Sequence, residues 1–179
     1  AECEYGRASQ GAAWALLARM YLNAEVYTST PRYTDCITYC NKIIGAGYSL
    51  EPEYAKLFNA DNDKRTNEII FPLVVDSRYT VSWGATTYIV CGLVGDNDST
   101  QNPADYGVTS GWGMFRVRGE LPAKFGYTEG TTSVADKRAM FHTDGQSMMF
   151  SSSIDDKKNG YFATKWSNLK DDGTQASNT

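Results

Sequence analysis

Apolar side chains recur every three or four residues in two segments near the start of the chain, which is the pattern of one face of an α-helix. The first segment covers residues 13–24, and the second covers residues 33–44 and stops before Gly45 and Gly47. Only a short stretch rich in Thr, Ser and Pro separates the two segments. We therefore expect two antiparallel helices whose apolar stripes face each other or a third element.

The residue sizes in both helices resemble a tetratricopeptide repeat. In the second helix, bulky Tyr33 precedes small Cys36 and Cys40, and in the first, small Ala18 lies three residues before Tyr21. The turn is longer than in the usual repeat, and no second copy follows in the chain. Because one such unit cannot bury its own apolar face, an ordinary helical hairpin in a globular core stays open as the alternative.

Beyond these helices the pattern predicts short elements between polar, glycine-rich loops. A continuous apolar run over residues 68–76 predicts a buried strand or extended segment, and Pro72 restricts a strand there to a sheet edge or a bulge. β-Branched and aromatic residues predict two more short strands, at 79–83 and 86–90. The remaining expectations are short helices over 48–58, 121–125 and 133–142, and a hairpin of strands over 146–153 and 160–169.

Composition narrows the class of protein. The 179 residues are enough for one domain with a core, and the net charge of −4 argues against nucleic acid or an anionic membrane surface as a partner. Twelve Tyr and four Trp are present, and Gly, Ser, Thr, Asn and Asp are concentrated in the second half. Aromatic and amide side chains on loops indicate recognition of sugars or peptides more than phosphate chemistry.

The sequence gives no positive support for catalysis. His142 is the only histidine, and it is expected at the end of a helix, with no residue that the sequence identifies as a nucleophile beside it. Motifs for phosphate, dinucleotide or zinc binding are absent. Paired carboxylates remain open because their separation in space decides their role. We therefore expect that the protein is not an enzyme.

The cysteines and the N-terminal residues do not identify the cellular compartment of the protein. Cys36 and Cys40 are one helical turn apart on the apolar stripe, so we expect small buried residues and no disulfide or metal pair. No apolar run is long enough to cross a membrane, and no signal sequence begins the chain. We expect the chain to be an internal piece of a longer protein.

A glycine-flanked tryptophan is the strongest candidate for binding. Trp112 lies between Gly111 and Gly113, whose backbone can turn sharply and leave the indole face free to stack on a sugar ring. A tryptophan that fills a gap in the core is an equal alternative. The preceding loop supplies candidate partners for sugar hydroxyl groups, namely Asp96, Asn97, Asp98, Gln101 and Asn102.

An acidic loop offers a candidate calcium site. Asp61, Asn62 and Asp63 bring three oxygen-bearing side chains together, and Ca²⁺ prefers such ligands. The glycine and the distant glutamate of an EF-hand loop are missing. A solvated acidic loop is therefore the favoured interpretation of the residues themselves.

Seven blocks of sequence cover residues 6–27, 32–48, 57–63, 67–72, 107–118, 136–139 and 160–166. In this order, they resemble the SusD-like (RagB) family of outer-membrane lipoproteins of Bacteroidetes. Each block alone is weak, but several in order form a specific signature, and they span nearly the whole chain. The family's proteins are much longer, so the chain resembles a middle piece.

The resemblance implies a mainly α fold built on tetratricopeptide-like helix pairs, with a loop-rich α+β region that binds the ligand. Residues 1–179 would form one piece of such a domain, with the helical hairpin and short helix at 6–58 and the loop-rich region at 59–179. It also implies a non-catalytic cell-surface glycan binder, with starch or another α-glucan favoured. Its partner would be a SusC-type TonB-dependent porin, and the full-length protein would be lipid-anchored on the extracellular face of the outer membrane.

The resemblance further implies site residues. Tyr88 and Trp112 would stack on the glycan, with Trp83 and Tyr79 as further candidates. The loop with Asp61 and Asp63 would correspond to a Ca²⁺ site, and no other cofactor is implied. The alternative is a tetratricopeptide-like scaffold that binds only protein, in which the aromatic residues are packed inside.

Overall fold

The computed structural model describes residues 3–76, 79, 85–151 and 153–176. These residues divide into two compact units. The first contains the residues up to Pro52 together with Asp63–Val75, and the second contains Glu53–Asn62 and the described residues from Asp76 onward. The α-helices are α1 (Gln10–Leu22), α2 (Ala24–Thr28), α3 (Tyr33–Ile44), α4 (Ala85–Leu93) and α5 (Glu120–Lys124); the strands are β1 (Arg116–Val117), β2 (Phe141–His142) and β3 (Tyr161–Ala163).

The predicted pair of helices in the first unit is confirmed. Helix α1 begins after Ser9, whose side-chain oxygen accepts a hydrogen bond from the Ala12 N–H at 3.1 Å. Helices α1 and α3 pack against each other, and Tyr21 of α1 stacks on Tyr39 of α3 with ring centroids 5.6 Å apart. The first predicted helix is divided, because Asn23 separates α1 from the short α2. The tetratricopeptide-like character of the pair stays a prediction.

The buried strand predicted over residues 68–76 is wrong. The described residues show no strand there, and Leu73 is 92% exposed. Phe71, Val74 and Val75 are exposed as well. Pro72 has no N–H to donate to a neighbouring strand. Because the described residues include no strand beside this run, an extended conformation would form no ladder of backbone hydrogen bonds here.

The strand predicted over residues 86–90 is also wrong, because this segment forms α4. Val90 and Val94, four residues apart, lie in a buried apolar cluster with Cys91 and Val108. Burial on one helical face outweighs the strand propensity of the Thr and Tyr residues. Of the piece predicted at 79–83, Tyr79 lies in a turn, and the other residues lie outside the described residues.

A small antiparallel sheet forms the middle of the second unit. Strand β3 is central, and Phe162 is opposite Arg116 of β1 and His142 of β2. Phe162 and Tyr161 are each 1% exposed, and Tyr161 joins Tyr127 and Met148 in a second buried cluster. Both faces of the central strand are therefore buried.

Two predictions around this sheet are wrong. Residues 133–142 are not a helix, since the Asp136 carboxylate accepts the Arg138 backbone N–H at 2.9 Å and closes a turn instead. Strand β3 pairs with β1 and β2, and the described residues of 146–153 form no strand; an isolated bridge joins Ser147 to Asn159. The short helices at 121–125 and within 48–58 are confirmed in part as α5 and a 3-10 turn at Tyr54–Phe58.

The cysteines are free thiols. Cys36 and Cys40 are partly buried on α3, and Cys91 is buried in the second unit. Burial raises the pKa of the Cys91 thiol. Within the described part of the chain, no helix combines the length and apolar character that a membrane crossing requires.

Candidate functional site

Two of the predicted binding residues lie together in the second unit. Tyr88 of α4 and Trp112 meet edge to face, with ring centroids 6.0 Å apart and planes inclined by 63°. Phe115 completes the group, since its ring centroid lies 5.1 Å from that of Tyr88. We refer to Tyr88, Trp112 and Phe115 as the aromatic cluster. Tyr88 is 39% exposed, so the cluster reaches solvent.

The end of α4 fixes the position of Trp112. The Trp112 N–H donates to the Cys91 carbonyl oxygen at 2.8 Å, and the Phe115 N–H donates to the Gly92 carbonyl oxygen at 2.8 Å. The N–H of Gly113 donates to the carbonyl oxygen of Val94 at 2.8 Å. These bonds satisfy carbonyl groups that have no partner inside the helix. The segment that carries the aromatic rings is therefore held along its backbone.

Glycines make this close approach feasible. A Cβ atom at Gly92 would lie 2.5 Å from the Phe115 ring, and one at Gly111 would overlap the Gly95 carbonyl oxygen. Gly113 has φ +60, a left-handed conformation that glycine adopts without strain. The glycines beside Trp112 are thus required by packing as well as by the turn.

The sequence left open whether Trp112 stacks on a sugar or fills a gap in the core, and its position is compatible with both. It is partly buried, and it packs against the apolar cluster that contains Val90 and Val108. Trp112 therefore contacts both the buried cluster and Tyr88. The role of both residues in ligand binding stays a prediction.

Tyr79, a further aromatic candidate, is not part of this group. Tyr79 is 85% exposed, and no aromatic neighbour of it is seen within the described residues. Trp83 lies outside the described residues. Their predicted contacts with a ligand stay predictions.

A polar cleft of about 530 Å³ lies beside the aromatic cluster. The two are adjacent, because a Cβ at Gly113 would lie 3.4 Å from the Asp96 backbone nitrogen. Asp96 pairs with Lys157 across the cleft, and the hydrogen bond from the Lys157 ammonium group lowers the pKa of Asp96. The cleft is lined by Asp96, Asp98, Ser99, Gln146, Asp155, Asp156, Lys157, Lys158 and Phe162.

The five loop residues predicted to contact sugar hydroxyl groups have different roles. Asp96 and Asp98 line the cleft, and Asn97 is exposed. Gln101 is buried, with its Oε1 accepting the Gly95 N–H at 2.7 Å. Asn102 caps a short 3-10 helix through the Ala104 N–H. Only Asp96 and Asp98 therefore face the cleft.

The calcium prediction is not supported by a ready-made ligand cluster. The Asp61 carboxylate accepts the Asp171 N–H at 3.0 Å, and Asp63 lies in a separate 3-10 turn, Asn62–Lys64. Across residues 3–76, 79, 85–151 and 153–176, no group of three or more His, Cys, Asp or Glu side chains could hold a metal ion. Calcium binding at Asp61 and Asp63 stays a prediction.

His142 is not at a helix end, which corrects the expectation for the sole histidine. It lies in β2, half-buried, with Nε2 at 2.8 Å from the Thr100 hydroxyl. Thr100 also donates to the Asp144 carbonyl oxygen at 2.9 Å. Burial lowers the pKa of His142, which keeps the ring neutral near pH 7. This arrangement ties a loop to the sheet.

Sequence reasoning missed half of the cleft. Gln146 and the charged turn with Lys157 and Lys158 were expected only as parts of a hairpin, yet they face the loop at Asp96. Sixty-one positions separate Asp96 from Lys157, so no local pattern brings them together. Phe115 carried a weak signal, because it follows the Gly-Trp-Gly segment by two residues.

Comparison with known proteins identifies a long relative. The chain is 39% identical over 127 residues to the starch-binding protein SusD of Bacteroides thetaiotaomicron. The aligned part covers 69% of this chain but 22% of SusD, so the chain spans about a fifth of that relative. No family model matches the chain. The predicted resemblance is confirmed, and the chain is a SusD-like sequence over the aligned part.

Proposed function

We propose that this SusD-like chain belongs to a non-catalytic protein that binds an oligosaccharide through the aromatic cluster. The observation that carries the proposal is the juxtaposition of Tyr88 and Trp112, with ring centroids 6.0 Å apart and Tyr88 exposed to solvent. The relative's name describes binding and not catalysis, which points to a protein that is not an enzyme. We therefore propose that the site binds a glycan and does not catalyse a reaction.

Ring-face stacking explains how such a site would work. Pyranose rings expose apolar C–H patches that pack on aromatic faces, and nearby polar side chains bind the hydroxyl groups. Each contact is small, so we expect a dissociation constant between roughly micromolar and millimolar. Starch or another α-glucan is the favoured ligand, because the relative is named for starch.

The wider system is part of the same proposal. We propose delivery of the glycan to a SusC-type TonB-dependent porin, with the full-length protein lipid-anchored on the extracellular face of the outer membrane. Tetratricopeptide-like pairing of α1 and α3 is part of the same proposal. The alternative, a protein-binding scaffold without glycan contact, is not favoured by the relative's name.

Affinity electrophoresis through gels containing amylopectin tests the proposal. We expect the protein to be retarded, and we expect Tyr88→Ala and Trp112→Ala to lose most of the retardation because each removes a stacking face. Trp112→Phe should keep part of it, since a smaller ring remains. Tyr27→Ala is the matched control, because Tyr27 is an exposed aromatic residue of α2 in the other unit.

Circular dichroism and thermal unfolding of each variant separate binding from folding. Trp112 also packs against the core, so Trp112→Ala alone would not be decisive, whereas Tyr88 is more exposed. Unchanged retardation of both folded alanine variants would rule out the aromatic cluster. A wild-type protein that amylopectin does not retard would rule out the α-glucan.

A further inference from the structure

The cleft beside the aromatic cluster has a lining that suits a hydroxyl-rich ligand. Its volume of about 530 Å³ lies in the usual range for small-molecule sites. Carboxylates accept hydrogen bonds from hydroxyl groups, and ammonium groups donate to them. The carboxylates belong to Asp96, Asp98, Asp155 and Asp156, and the ammonium groups to Lys157 and Lys158.

The wall that carries Asp155 to Lys158 is held in place before any ligand arrives. The Arg116 guanidinium donates to the carbonyl oxygens of Ile154 at 2.5 Å, Asp156 at 2.5 Å and Asn159 at 2.8 Å. Buried Asn159 donates from its side chain to the Ser153 carbonyl oxygen at 3.2 Å. A wall fixed by its own backbone loses little freedom when a ligand binds.

A buried glutamine lies behind the opposite wall, which carries Ser99. Gln101 is 7% exposed, and no hydrogen bond to its Nε2 is found among the described residues. Its Oε1 lies 3.5 Å from the hydroxyl of Ser99, a residue of the cleft lining. Gln101 itself does not line the cleft, and its Oε1 accepts the Gly95 N–H at 2.7 Å, so it supports the loop behind Ser99. This wall, too, is held in place by contacts within the protein.

We propose that the cleft is a second contact region for the glycan, and that it selects neutral chains over chains with uronate or other anionic groups. The inference rests on the proposed function of the aromatic cluster. The cleft adjoins that cluster, because the Gly113 backbone beside Trp112 approaches Asp96. Its carboxylates outnumber its ammonium groups, so an anionic ligand would meet like charges.

Chemical-shift mapping by nuclear magnetic resonance tests where on the protein the glycan binds. When maltoheptaose is added to ¹⁵N-labelled protein, we expect shifts of the Trp112 indole N–H and of the backbone amides of Asp98, Ser99 and Lys158. A shift of Trp112 alone would overturn the second contact region and leave the proposed function intact. An absence of shifts in both regions would overturn both.

Isothermal titration calorimetry tests how much the cleft contributes to the affinity for the glycan. We expect the double variant Asp98→Asn and Asp155→Asn to bind maltoheptaose about five- to tenfold more weakly, because it removes charged hydrogen-bond acceptors. Asp144→Asn is the matched control, since Asp144 is an exposed carboxylate of the same unit outside the cleft lining. Equal affinity of the folded double variant and the wild type would overturn the inference.

A charged ligand tests the selectivity. Oligogalacturonate of the same length should bind wild-type protein more weakly than maltoheptaose does, and the double variant should narrow the gap because two negative charges are gone. Oligogalacturonate that bound wild-type protein as tightly as maltoheptaose would overturn the selection of neutral chains.

Discussion

Asp96 is the cleft residue whose ionisation depends on a partner from the opposite wall. The hydrogen bond from Lys157 is the largest cause of its lowered pKa, while burial acts in the opposite direction. Because its pKa is lowered on folding, the Asp96 carboxylate stabilises the folded state at pH values above its ordinary pKa near 3.8. That contribution is lost as the pH falls through the pKa of the folded state.

We predict that Lys157→Met raises the pKa of Asp96 back toward its ordinary value. Carbon-detected magnetic resonance of the Asp96 carboxyl group during an acid titration measures this. Lys158→Met is the control, because Lys158 lines the same cleft but is not among the groups that shift Asp96. If the two variants gave the same pKa as the wild type, the ion pair would not be the cause.

Gly92 shows how one missing Cβ places the aromatic cluster. Alanine would normally stabilise a helix interior by about 1 kcal/mol relative to glycine. Here its Cβ would lie 2.5 Å from the Phe115 ring, and overpacking costs about 1–3 kcal/mol. We therefore predict that Gly92→Ala lowers the free energy of unfolding.

Denaturant unfolding measures this change, with Gly45→Ala as the control. Gly45 has an ordinary φ of −77 at the end of α3, and its added Cβ would meet its nearest neighbour at 3.4 Å. Stability should stay the same or rise slightly there. A Gly92→Ala protein more stable than the wild type would show that Phe115 moves aside freely.

At the scale of single elements, the cap of α1 is a local feature that the sequence specifies. The Ser9 oxygen accepts the Ala12 N–H at 3.1 Å, and loss of such a cap typically costs about 1 kcal/mol. We predict that Ser9→Ala destabilises the protein by that order, whereas Ser9→Asp retains most of the stability because its carboxylate can accept the same bond. Thermal unfolding followed at 222 nm, roughly the helical minimum, compares them; equal loss in both variants would argue against the cap.

Elements are predictable where the local signal and the tertiary environment agree. Helix α3 begins and ends at the predicted residues, because its apolar repeat and its terminal glycine act within one segment. Helix α4 was predicted as a strand, since Thr86, Thr87 and Tyr88 favour strands locally. Its burial beside Val108 comes from a distant part of the chain, and a local pattern does not contain that contact.

In the candidate site, too, some residues could be predicted from local sequence and others could not. Trp112 could be singled out because its flanking glycines are visible in the sequence, and Tyr88 came from the family resemblance. The second wall of the cleft could not be found, because Arg116 holds a loop some forty residues further along the chain. Such long-range contacts form only when the sheet brings β1 beside β3.

At the scale of the whole molecule, burial is distributed unevenly. No residue of α3 is buried, and the exposed apolar side chains of the first unit include Leu16, Ile37 and Ile44. The second unit has two buried clusters and a central strand whose Tyr161 and Phe162 are almost fully enclosed. Local opening is easiest where few apolar contacts are lost.

We therefore predict that backbone amides of α3 exchange with deuterium much faster than those of β3 and the second half of α4. The protein should be measured as the intact chain by exchange coupled to mass spectrometry, so that both regions experience the same conditions. Peptides of β3 should report opening close to global unfolding, because exposing Phe162 breaks the pairing to both β1 and β2. Protection of α3 equal to that of β3 would show that the uneven burial does not set the local stability.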